Sequence, residues 1–403
     1  MIILVINCGS SSIKYQLLDM KSDDVYSLLA KGIVEKIGLA DGTIAYTPAG
    51  SQKMIKKQFI ADHKVGMELV LNELVDPVTG VLKSFEDIEA VGHRIVQGAD
   101  YFSGSAIVNE DVLEKIKDCS DFAPLHNPAH ILGIRAVQQV LPDVPQVAVF
   151  DTAFHQTMPA YNFMYPLPYE YYEKYRIRKY GAHGTSHQYV ASKAAKIAGI
   201  DVNNSKIVTC HLGNGSSVTA VQNGKCVDTS MGFTPLAGMI MGTRCGSIDP
   251  NIVTYLMQKE NLSADEMTTI MNRKSGFLGL TGVSSDVREL CDAVDQGSEM
   301  AKLGLQVFVH DVIKLIGTYS AEMNGVDLIV FTAGIAENNP QLLRRICENL
   351  TYLGLKFDYE TNAAPGIDKL ITLPDSKVKV AIVSTNEELV IARDTMHLAF
   401  GNE

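Results

Sequence analysis

The sequence predicts an α/β protein that is built from two related domains. Apolar β-type runs alternate with helical runs along the chain, and the most apolar of them end in polar or glycine-rich residues. An α/β sheet usually presents its ligand-binding groups at such strand ends. A short motif near the N terminus also recurs about half a chain later. A duplicated domain would produce that recurrence, so two similar halves are expected.

Three runs predict buried strands, and several amphipathic segments predict helices. The strands are Gln146–Asp151, Lys206–His211 and Asp327–Thr332. The helices are His187–Ala198, Asn251–Lys259, Glu299–Tyr319, Pro340–Leu350 and Glu387–Ala399. Gly199 stands where a glycine would end the first of these helices.

The composition indicates a soluble globular protein of about two domains. The chain has 403 residues, of which 46% are hydrophobic and 20% are charged. Its 35 Lys and Arg against 46 Asp and Glu give a net charge of -11, which argues against a nucleic-acid partner. The start "MIILVIN" lacks the basic segment of a signal peptide, and no apolar run is long enough to span a bilayer. Seven cysteines without a Cys-x-x-Cys pair fit reduced thiols, so we expect a cytoplasmic protein with no membrane partner.

The recurring motif is a turn between two strands. "NCGSSSIKYQ", which starts at Asn7, resembles "GNGSSVTAVQ" at Gly213–Gln222. Backbone N–H groups and hydroxyls in such a turn, with Lys14 beside it, suit a phosphate, although an ordinary polar hairpin is an equally good interpretation of the first turn alone. The P-loop consensus and the dinucleotide fingerprint are both absent. Two related turns predict a nucleotide in the cleft between two domains.

Other small-residue segments also suit phosphate or carboxylate oxygens. "FTAGIAENN" (Phe331–Asn339) follows a strand and precedes a helix, so its backbone can approach a base or an α-phosphate. Arg94 in "GHRIVQG" and Arg244 in "GTRCGS" lie among small residues. A guanidinium matches carboxylate and phosphate oxygens, while simple solvation is the alternative for each arginine.

Two histidine pairs do not have the pattern of a zinc site. His183 and His187 are four residues apart, as are His126 and His130. Neither pair contains the Glu of a His-Glu-x-x-His site, and Pro128 interrupts the second pair. Structural or hydrogen-bonding histidines are therefore favoured.

A serine hydrolase has little support, because no Gly-x-Ser-x-Gly elbow occurs.

Two carboxylates each have two possible roles. Asp151, at the end of a strand, is either a cap or an orienting and metal-binding residue in a cleft. Glu387 is either a helix N-terminal charge or a magnesium ligand.

Together these motifs resemble the acetate kinases, which belong to the superfamily of sugar kinases, actin and the seventy-kilodalton heat-shock proteins. Blocks that carry the resemblance cover nearly the whole chain in order, among them "LVINCGSSSIKYQLLD", "VGHRIVQGADYF", "VFDTAFHQTMP", "YGAHGTSH", "CHLGNGSSV", "FTAGIAENN" and "STNEELVIARDT". The resemblance implies a duplicated two-domain actin-like ATPase fold with ribonuclease-H-like βββαβαβα cores and the nucleotide in the interdomain cleft. It implies an N-terminal domain of residues 1–152, completed by the C-terminal helix 387–403. Residues 153–386 would form the nucleotide-binding and dimerisation domain.

The resemblance also implies an activity and a set of site residues. The activity is reversible, Mg²⁺-dependent transfer of the γ-phosphoryl group of ATP to acetate, giving acetyl phosphate and ADP, with Mn²⁺ as a substitute metal, in a homodimer. The implied catalytic residues are Arg94, Asp151, His183 and Arg244. The implied acetate-binding residues are Arg94, Val96, Leu125 and Pro235, and the implied metal ligands are Asn7 and Glu387. The implied ATP-binding residues are Lys14, His211, Leu212, Gly213, Asn214, Gly215, Asp286, Val287, Arg288, Gly334, Ile335, Ala336, Glu337 and Asn338.

The chemistry and one departure from the family narrow the choice of substrate and mechanism. Acetate is already ionised at neutral pH, so the attacking oxygen needs no general base and direct in-line transfer is expected. We therefore interpret Asp151 as an orienting residue and metal-shell ligand, although the family aspartate is often described as a proton donor or acceptor.

Ala182 stands where many relatives have Phe, so the sequence does not decide how tightly the pocket encloses the methyl group of acetate. A propionate or butyrate kinase is one alternative, although Val96 favours a small acid, and a non-enzymatic ATP-driven switch is another.

Overall fold

The chain is divided into two compact units. The computed structural model describes residues 1–124 and 126–401. One unit comprises Met1–Ala153 together with the segment that begins at Asn386, and the other comprises Phe154–Thr385. None of the helices described combines the length and apolar character needed to cross a membrane.

The first unit is built on one mixed sheet. Its strand order is β5-β4-β3-β2-β1-β6-β8-β7. Its strands are β1 (Ile2–Gly9), β2 (Ser12–Met20), β3 (Tyr26–Glu35), β4 (Thr43–Pro48), β5 (Met54–Lys57), β6 (Ala90–Ile95), β7 (Ala106–Ile107) and β8 (Gln146–Phe150). Strands β1 to β5 pair antiparallel in succession, whereas β6 runs parallel to β1 and β8 runs parallel to β6.

Helices cover this sheet and bury its apolar side chains. They are α1 (His63–Leu74), α2 (Glu110–Asp118), α3 (Asn127–Val140) and the C-terminal helix (Glu387–Phe400). Leu4 and Ile6 of β1 pack in one cluster with Val70 of α1 and Val137 of α3. The near-continuous apolar run of β1 is explained by its position inside the sheet, where side chains of both faces are buried.

The second unit repeats the same arrangement. Its strand order is β11-β10-β9-β12-β14-β13. Its strands are β9 (Lys206–Leu212), β10 (Ser216–Gln222), β11 (Lys225–Thr229), β12 (Leu328–Thr332), β13 (Lys369–Leu370) and β14 (Lys379–Ile382). Strands β9 to β11 pair antiparallel, and β12 and β14 continue parallel to β9. The series β3-β2-β1-β6-β8 and β11-β10-β9-β12-β14 therefore match in order and direction, which confirms the predicted duplication.

The second unit carries most of the helices. They are α4 (Ala160–Phe163), α5 (Glu170–Tyr175), α6 (Gly184–Ala198), α7 (Pro250–Glu260), α8 (Ala264–Arg273), α9 (Gly276–Thr281), α10 (Val287–Asp295), α11 (Glu299–Glu322), α12 (Gly334–Asn338), α13 (Pro340–Glu348) and α14 (Tyr359–Ala363). The long helix α11 buries Phe308 and Val312 against Val208 of β9 and Val218 of β10. Ala194 and Ala195 of α6 pack in a separate cluster with Ile207 of β9.

The three predicted strands and five predicted helices are confirmed, with differences at their ends. Helix α6 begins at Gly184 rather than at the predicted His187. The reason is that His183, in the left-handed conformation with φ +59°, turns the chain directly into the helix. Gly199 ends α6 as predicted, with φ +65°, a conformation that costs glycine little.

Candidate active site

In the first unit, an arginine and a buried carboxylate meet at the ends of two neighbouring strands. Arg94 lies on β6 opposite Val149 of β8, and Asp151 follows directly after β8. Arg94 Nε donates to Asp151 Oδ1 (3.0 Å), and Arg94 Nη2 donates to Asp151 Oδ2 (2.7 Å). Asp151 is 1% exposed, and its backbone N–H donates to the Ile95 carbonyl (2.9 Å). This two-point contact fixes the orientation of the guanidinium plane.

A second carboxylate reaches Arg94 from the C-terminal helix. The side chain of Asn386 caps that helix by accepting from the Leu389 N–H (3.0 Å), which places Glu387 in its first turn. Glu387 Oε2 lies 3.8 Å from Arg94 Nε. The helix approaches β6 closely because Gly92 has no side chain. A Cβ at that position would collide with Thr395 and Ile391 of the helix.

The charges in this cluster are unequal. Burial raises the pKa of Glu387 to about 7. The positive charge of Arg94 opposes this rise, whereas the negative charges of Asp151 and Glu388 add to it. Burial lowers the pKa of Arg94, but the carboxylates of Asp151 and Glu387 outweigh it, and the net shift is upward. Arg94 therefore remains a cation, and additional positive charge beside Glu387 would favour its ionised form.

These residues border a cavity of about 440 Å³ in the first unit. Asn7 and Lys14 are opposite each other across β1 and β2, next to the Gly-Ser turn, and both line the cavity together with Arg94 and Glu387. The cavity also contains polar residues that the sequence reasoning missed, namely Gln16, Lys31, Thr47, Lys53 and Glu388. The alternation of side chains could have indicated Gln16 of β2, Lys31 of β3 and Thr47 of β4 only if the strand register were known. Glu388 directly follows the predicted Glu387 in the sequence.

The donor atoms around the cavity are compatible with a magnesium ion. Asn7 supplies an amide oxygen, and Glu387 supplies a carboxylate whose pKa is raised mainly by burial, with Asp151 and Glu388 adding to the shift. Within residues 1–124 and 126–401, no group of three or more His, Cys, Asp or Glu side chains is arranged to hold a metal by itself. That agrees with the usual Mg²⁺ site, in which one or two protein ligands are completed by phosphate oxygens and water.

Of the three apolar residues predicted to bind acetate, the structure describes two, and these belong to different units. Val96 follows β6 two residues after Arg94 and is half-buried. Pro235 belongs to the second unit, where its carbonyl accepts from Arg244 Nη1 (3.0 Å). Leu125 lies outside the described residues.

In the second unit, an arginine and a histidine side chain converge on the glycine turn between β9 and β10. A Cβ placed on Gly215 would lie 3.5 Å from Arg244 Nη1 and 3.6 Å from His183 Nε2. The absence of a side chain at Gly215 thus leaves a small space that both donors face. Clustered N–H donors around a glycine turn form an anion-binding concavity.

Arg244 has no carboxylate partner within residues 1–124 and 126–401. Among the residues that the structure describes, its guanidinium donates only to the Pro235 carbonyl and, weakly, to Met241 Sδ (3.6 Å). Burial lowers the pKa of Arg244. A partly buried guanidinium without a counter-charge is favourable only when an anion binds to it, so Arg244 contrasts with Arg94, which Asp151 already neutralises.

His183 is held by the residues around it. Its ring stacks on that of His211 with centroids 4.2 Å apart, and its Nδ1 lies 2.8 Å from Ser217 Oγ. His211 Nδ1 is in turn 2.8 Å from Ser186 Oγ. These contacts orient His183 Nε2 toward Gly215.

The other predicted nucleotide-binding segments border the same turn. A Cβ on Gly213 would lie 3.7 Å from Ala333, which precedes Gly334–Asn338. A Cβ at Gly242 would collide with Asn214 and would lie 3.0 Å from the Ser285 carbonyl. Asn214 of the glycine turn is therefore close to Ser285, the residue before Asp286. The structure therefore brings the glycine turn, the β12–α12 connection and the start of α10 together.

The side chains of these segments have unequal access to a ligand. Those of Leu212, Val287 and Ala336 belong to the apolar core, so only their backbones could contact a nucleotide. Arg288 is 83% exposed and donates to Asp286, the N-cap of α10. In the β12–α12 connection, Glu337 Oε1 accepts from the Ala333 N–H (2.9 Å).

Ala182, where the sequence departs from its family, is buried. It forms a small cluster with Met231 and Met241. Methionine side chains are flexible and fill irregular gaps, so the space beside Ala182 is closed by adaptable groups rather than by a rigid ring.

Two sheets with the ribonuclease-H-like strand order, each with a glycine- and serine-containing first hairpin, define the actin-like ATPase class. Within that class, an arginine held by a buried aspartate and a second, unneutralised arginine are the features of a phosphotransferase that acts on anions.

Comparisons with known proteins specify the family. The model of the acetokinase family matches residues 2–393. The chain is 56% identical to an acetate kinase of Thermoanaerobacterium thermosaccharolyticum over 98% of each chain. Its structure is similar to that of Porphyromonas gingivalis acetate kinase, with 43% identity, a TM-score of 0.94 and coverage of 98% of this chain and 99% of that one. It is also similar to a propionate kinase from Francisella tularensis, with 44% identity, a TM-score of 0.91 and the same coverage. The chain belongs to the acetokinase family, whose members are kinases with a carboxyl group as phosphoryl acceptor.

Proposed function

We propose that this protein transfers the γ-phosphoryl group of ATP reversibly to acetate, giving acetyl phosphate and ADP. The observation that carries the proposal is the contrast between its two site arginines. Arg94 is neutralised and oriented by Asp151, whereas Arg244 is partly buried and pairs with no carboxylate in the part of the chain that the structure describes. The first suits a carboxylate that must be placed accurately, and the second suits charge that develops on a transferring phosphoryl group.

The acceptor carboxylate would bind to Arg94. Asp151 occupies Nε and one hydrogen of Nη2, while Nη1 donates to no acceptor within the described residues. Acetate can therefore accept a hydrogen bond from Nη1 without breaking the pair with Asp151. Because acetate is already ionised, Asp151 needs to hold the guanidinium only and not to remove a proton.

The transferring phosphoryl group would be stabilised by His183 and Arg244, which both face the space at Gly215. Donors fixed before the reaction starts stabilise the developing charge without reorganisation. The adjoining segments would hold the nucleotide, with Gly213–Gly215 and Gly334–Asn338 offering backbone groups and Asp286–Arg288 and Lys14 offering charged side chains.

Asn7 and Glu387 would hold Mg²⁺, or Mn²⁺ in its place, with Asp151 near enough to Arg94 and Glu387 to contribute through water. When bound, the metal ion would neutralise part of the charge on the phosphate groups. Asn7 is fixed for this role by β1, and Glu387 by the capped first turn of the C-terminal helix.

The protein is further proposed to act as a cytoplasmic homodimer that uses its second unit as the interface. Helix α7 buries none of its side chains, and Ile252 and Tyr255 on it are exposed. Exposed apolar side chains on a helix of this kind are typical of an interface. Sedimentation velocity of the protein and of Tyr255→Glu tests this point, since a dimer should be weakened by the charge.

A trap of acyl phosphate with hydroxylamine tests the function. Purified protein should form acyl hydroxamate from ATP and acetate, less from propionate and least from butyrate. Arg135→Ala, which removes an exposed arginine paired with Glu110, should behave as the unchanged protein. A larger product yield from propionate than from acetate would favour the propionate kinase alternative, to which the similarity with the Francisella enzyme points. Hydrolysis of ATP without hydroxamate would favour an ATP-driven switch.

A further inference from the structure

A chain of hydrogen bonds runs inward from His183 through three side chains. His183 Nδ1 lies 2.8 Å from Ser217 Oγ, which lies 2.7 Å from His187 Nε2. His187 Nδ1 lies 2.7 Å from Thr209 Oγ1, whose hydroxyl donates to the Thr219 carbonyl (3.4 Å). Ser217, His187 and Thr209 are fully buried, so water cannot replace these partners.

The direction of donation along this chain follows from its inner end. A carbonyl can only accept, so the Thr209 hydroxyl donates to Thr219, and Thr209 Oγ1 is left to accept from His187 Nδ1–H. Burial, together with the neighbouring His155 and His211, holds the pKa of His187 well below its ordinary value, so His187 carries one ring proton. His187 Nε2 must then accept from the Ser217 hydroxyl, and Ser217 Oγ must accept from His183 Nδ1–H. The opposite direction would lose the bond to Thr219.

We infer that Ser217, His187 and Thr209 are positioning residues that fix the proton of His183 on Nδ1, so that its Nε2 can donate to a phosphoryl oxygen only when the ring is an imidazolium. A neutral His183 in this arrangement would direct a lone pair, rather than an N–H, at the space beside Gly215. The stabilising role of His183 thus requires its second proton. The inference rests on the proposed function, because that function gives Nε2 its anionic partner.

Several titratable or charged groups lie beside His183. His211 on β9 stacks on its ring, His187 of α6 lies beside it, and Arg244 shares the space at Gly215. These three groups are imidazoles or a cation and do not favour a second positive charge on His183, whereas an anion bound at Gly215 would favour the imidazolium.

The tautomer can be measured without turnover by ¹⁵N NMR of protein with labelled histidine, at a pH where His183 is neutral. The His183 signal is assigned by its loss in His183→Gln. The inference predicts a protonated Nδ1 and an unprotonated Nε2, the reverse of the tautomer that free histidine prefers. Ser217→Ala and Thr209→Val should both shift the population toward Nε2–H, whereas Thr209→Ser, which keeps the hydroxyl, should not. An Nε2–H tautomer in the unchanged protein, or a tautomer unaffected by both variants, would overturn the inference.

Kinetics add a readout that a merely structural role would not change. Ser217→Ala should lower kcat by about 10- to 100-fold with little change in either KM, as for other residues that orient a catalytic group. Its kcat should also fall less steeply on the alkaline side, because neutral His183 can then present Nε2–H. A parallel displacement of the whole pH profile would contradict the assignment. Since the tautomer is read in the absence of substrate, failure of the proposed function and failure of this inference remain distinguishable.

Discussion

The guanidinium of Arg94 and the carboxylate of Asp151 form two parallel hydrogen bonds, of 3.0 and 2.7 Å, at the ends of adjacent parallel strands. Arg94 lies on β6, and Asp151, directly after β8, is held by the hydrogen bond from its backbone N–H to the Ile95 carbonyl, so the pair is set before any ligand arrives. We expect Asp151→Asn to lower kcat/KM for acetate by about 10- to 100-fold, because the amide can accept only one of the two bonds. The pH dependence of kcat should keep its shape. Loss of one limb of that profile would instead identify Asp151 as a proton donor or acceptor.

The two site arginines should differ kinetically. Arg244→Ala should lower kcat by about 10²–10³-fold, because it removes one donor to the transition state, with the fold retained. Arg94→Ala should also raise the KM for acetate, because Arg94 holds the ground-state carboxylate. Steady-state kinetics with both substrates varied separates these effects, with Arg135→Ala as the control. Near-normal turnover by either site variant would remove that arginine from the mechanism.

Acyl-chain selectivity should respond to residues near the proposed methyl pocket. We expect kcat/KM for acetate to exceed that for propionate roughly tenfold, a usual value for one methylene group. Ala182→Phe should widen the preference by pressing Met231 and Met241 aside, and Val96→Ala should narrow it. Competition kinetics on the three proteins measures the ratios, and thermal unfolding checks that the added ring does not disrupt the core. Identical ratios would mean that neither side chain limits the acyl group.

Stability should fall in mild acid partly because of His93. This residue is buried on β6, and burial lowers its pKa to about 4, although a hydrogen bond to Gln146 Oε1 (2.7 Å) partly opposes the shift. The unfolded chain, with an ordinary pKa near 6.5, binds the proton first. The contribution of neutral His93 to the free energy of unfolding is therefore fully present above pH 6.5 and is lost as the pH falls toward 4. The loss should reach at most about 3 kcal/mol, at 1.36 kcal/mol for each unit of pKa difference.

Urea unfolding between pH 7.5 and 5 tests this dependence. His93→Gln should have a shallower pH dependence of stability than the unchanged protein, whereas His310→Gln, at an exposed position of α11, serves as the control and should not differ from it. Equal slopes for all three proteins would show that His93 does not titrate in this way.

Many strands and helices could be predicted from the sequence because they depend on the pattern of residues within short segments. Alternating or continuous apolar runs identified β8, β9 and β12, and the recurring Gly-Ser motif indicated the duplication that the matching sheets confirm. Asp151 was indicated by the end of a predicted strand, and Arg94 by the small residues around it. Their contact follows from the pairing of β6 with β8, which the sequence does not specify.

Features that depend on packing between distant segments could not be predicted. The cavity residue Lys31 joins Lys14 only through the pairing of β2 with β3, and Lys53, which precedes β5, joins them only through the pairing of β3, β4 and β5. The bond between His187 and Thr209 requires α6 to lie on β9, and apolar periodicity does not indicate which polar side chains then meet. The start of α6 was placed too late, since the left-handed backbone of His183 has no sequence signal of its own.

The central claim is that an oxygen of acetate attacks the γ-phosphorus of ATP directly. ATP made chiral at the γ-phosphorus with ¹⁶O, ¹⁷O and ¹⁸O, incubated with acetate, Mg²⁺ and the protein, tests it by ³¹P NMR analysis of the configuration of the transferred phosphoryl group. Direct in-line attack is a single displacement and predicts inversion of configuration at phosphorus. Retention of configuration, which two successive displacements through a phosphorylated side chain would give, would contradict the account.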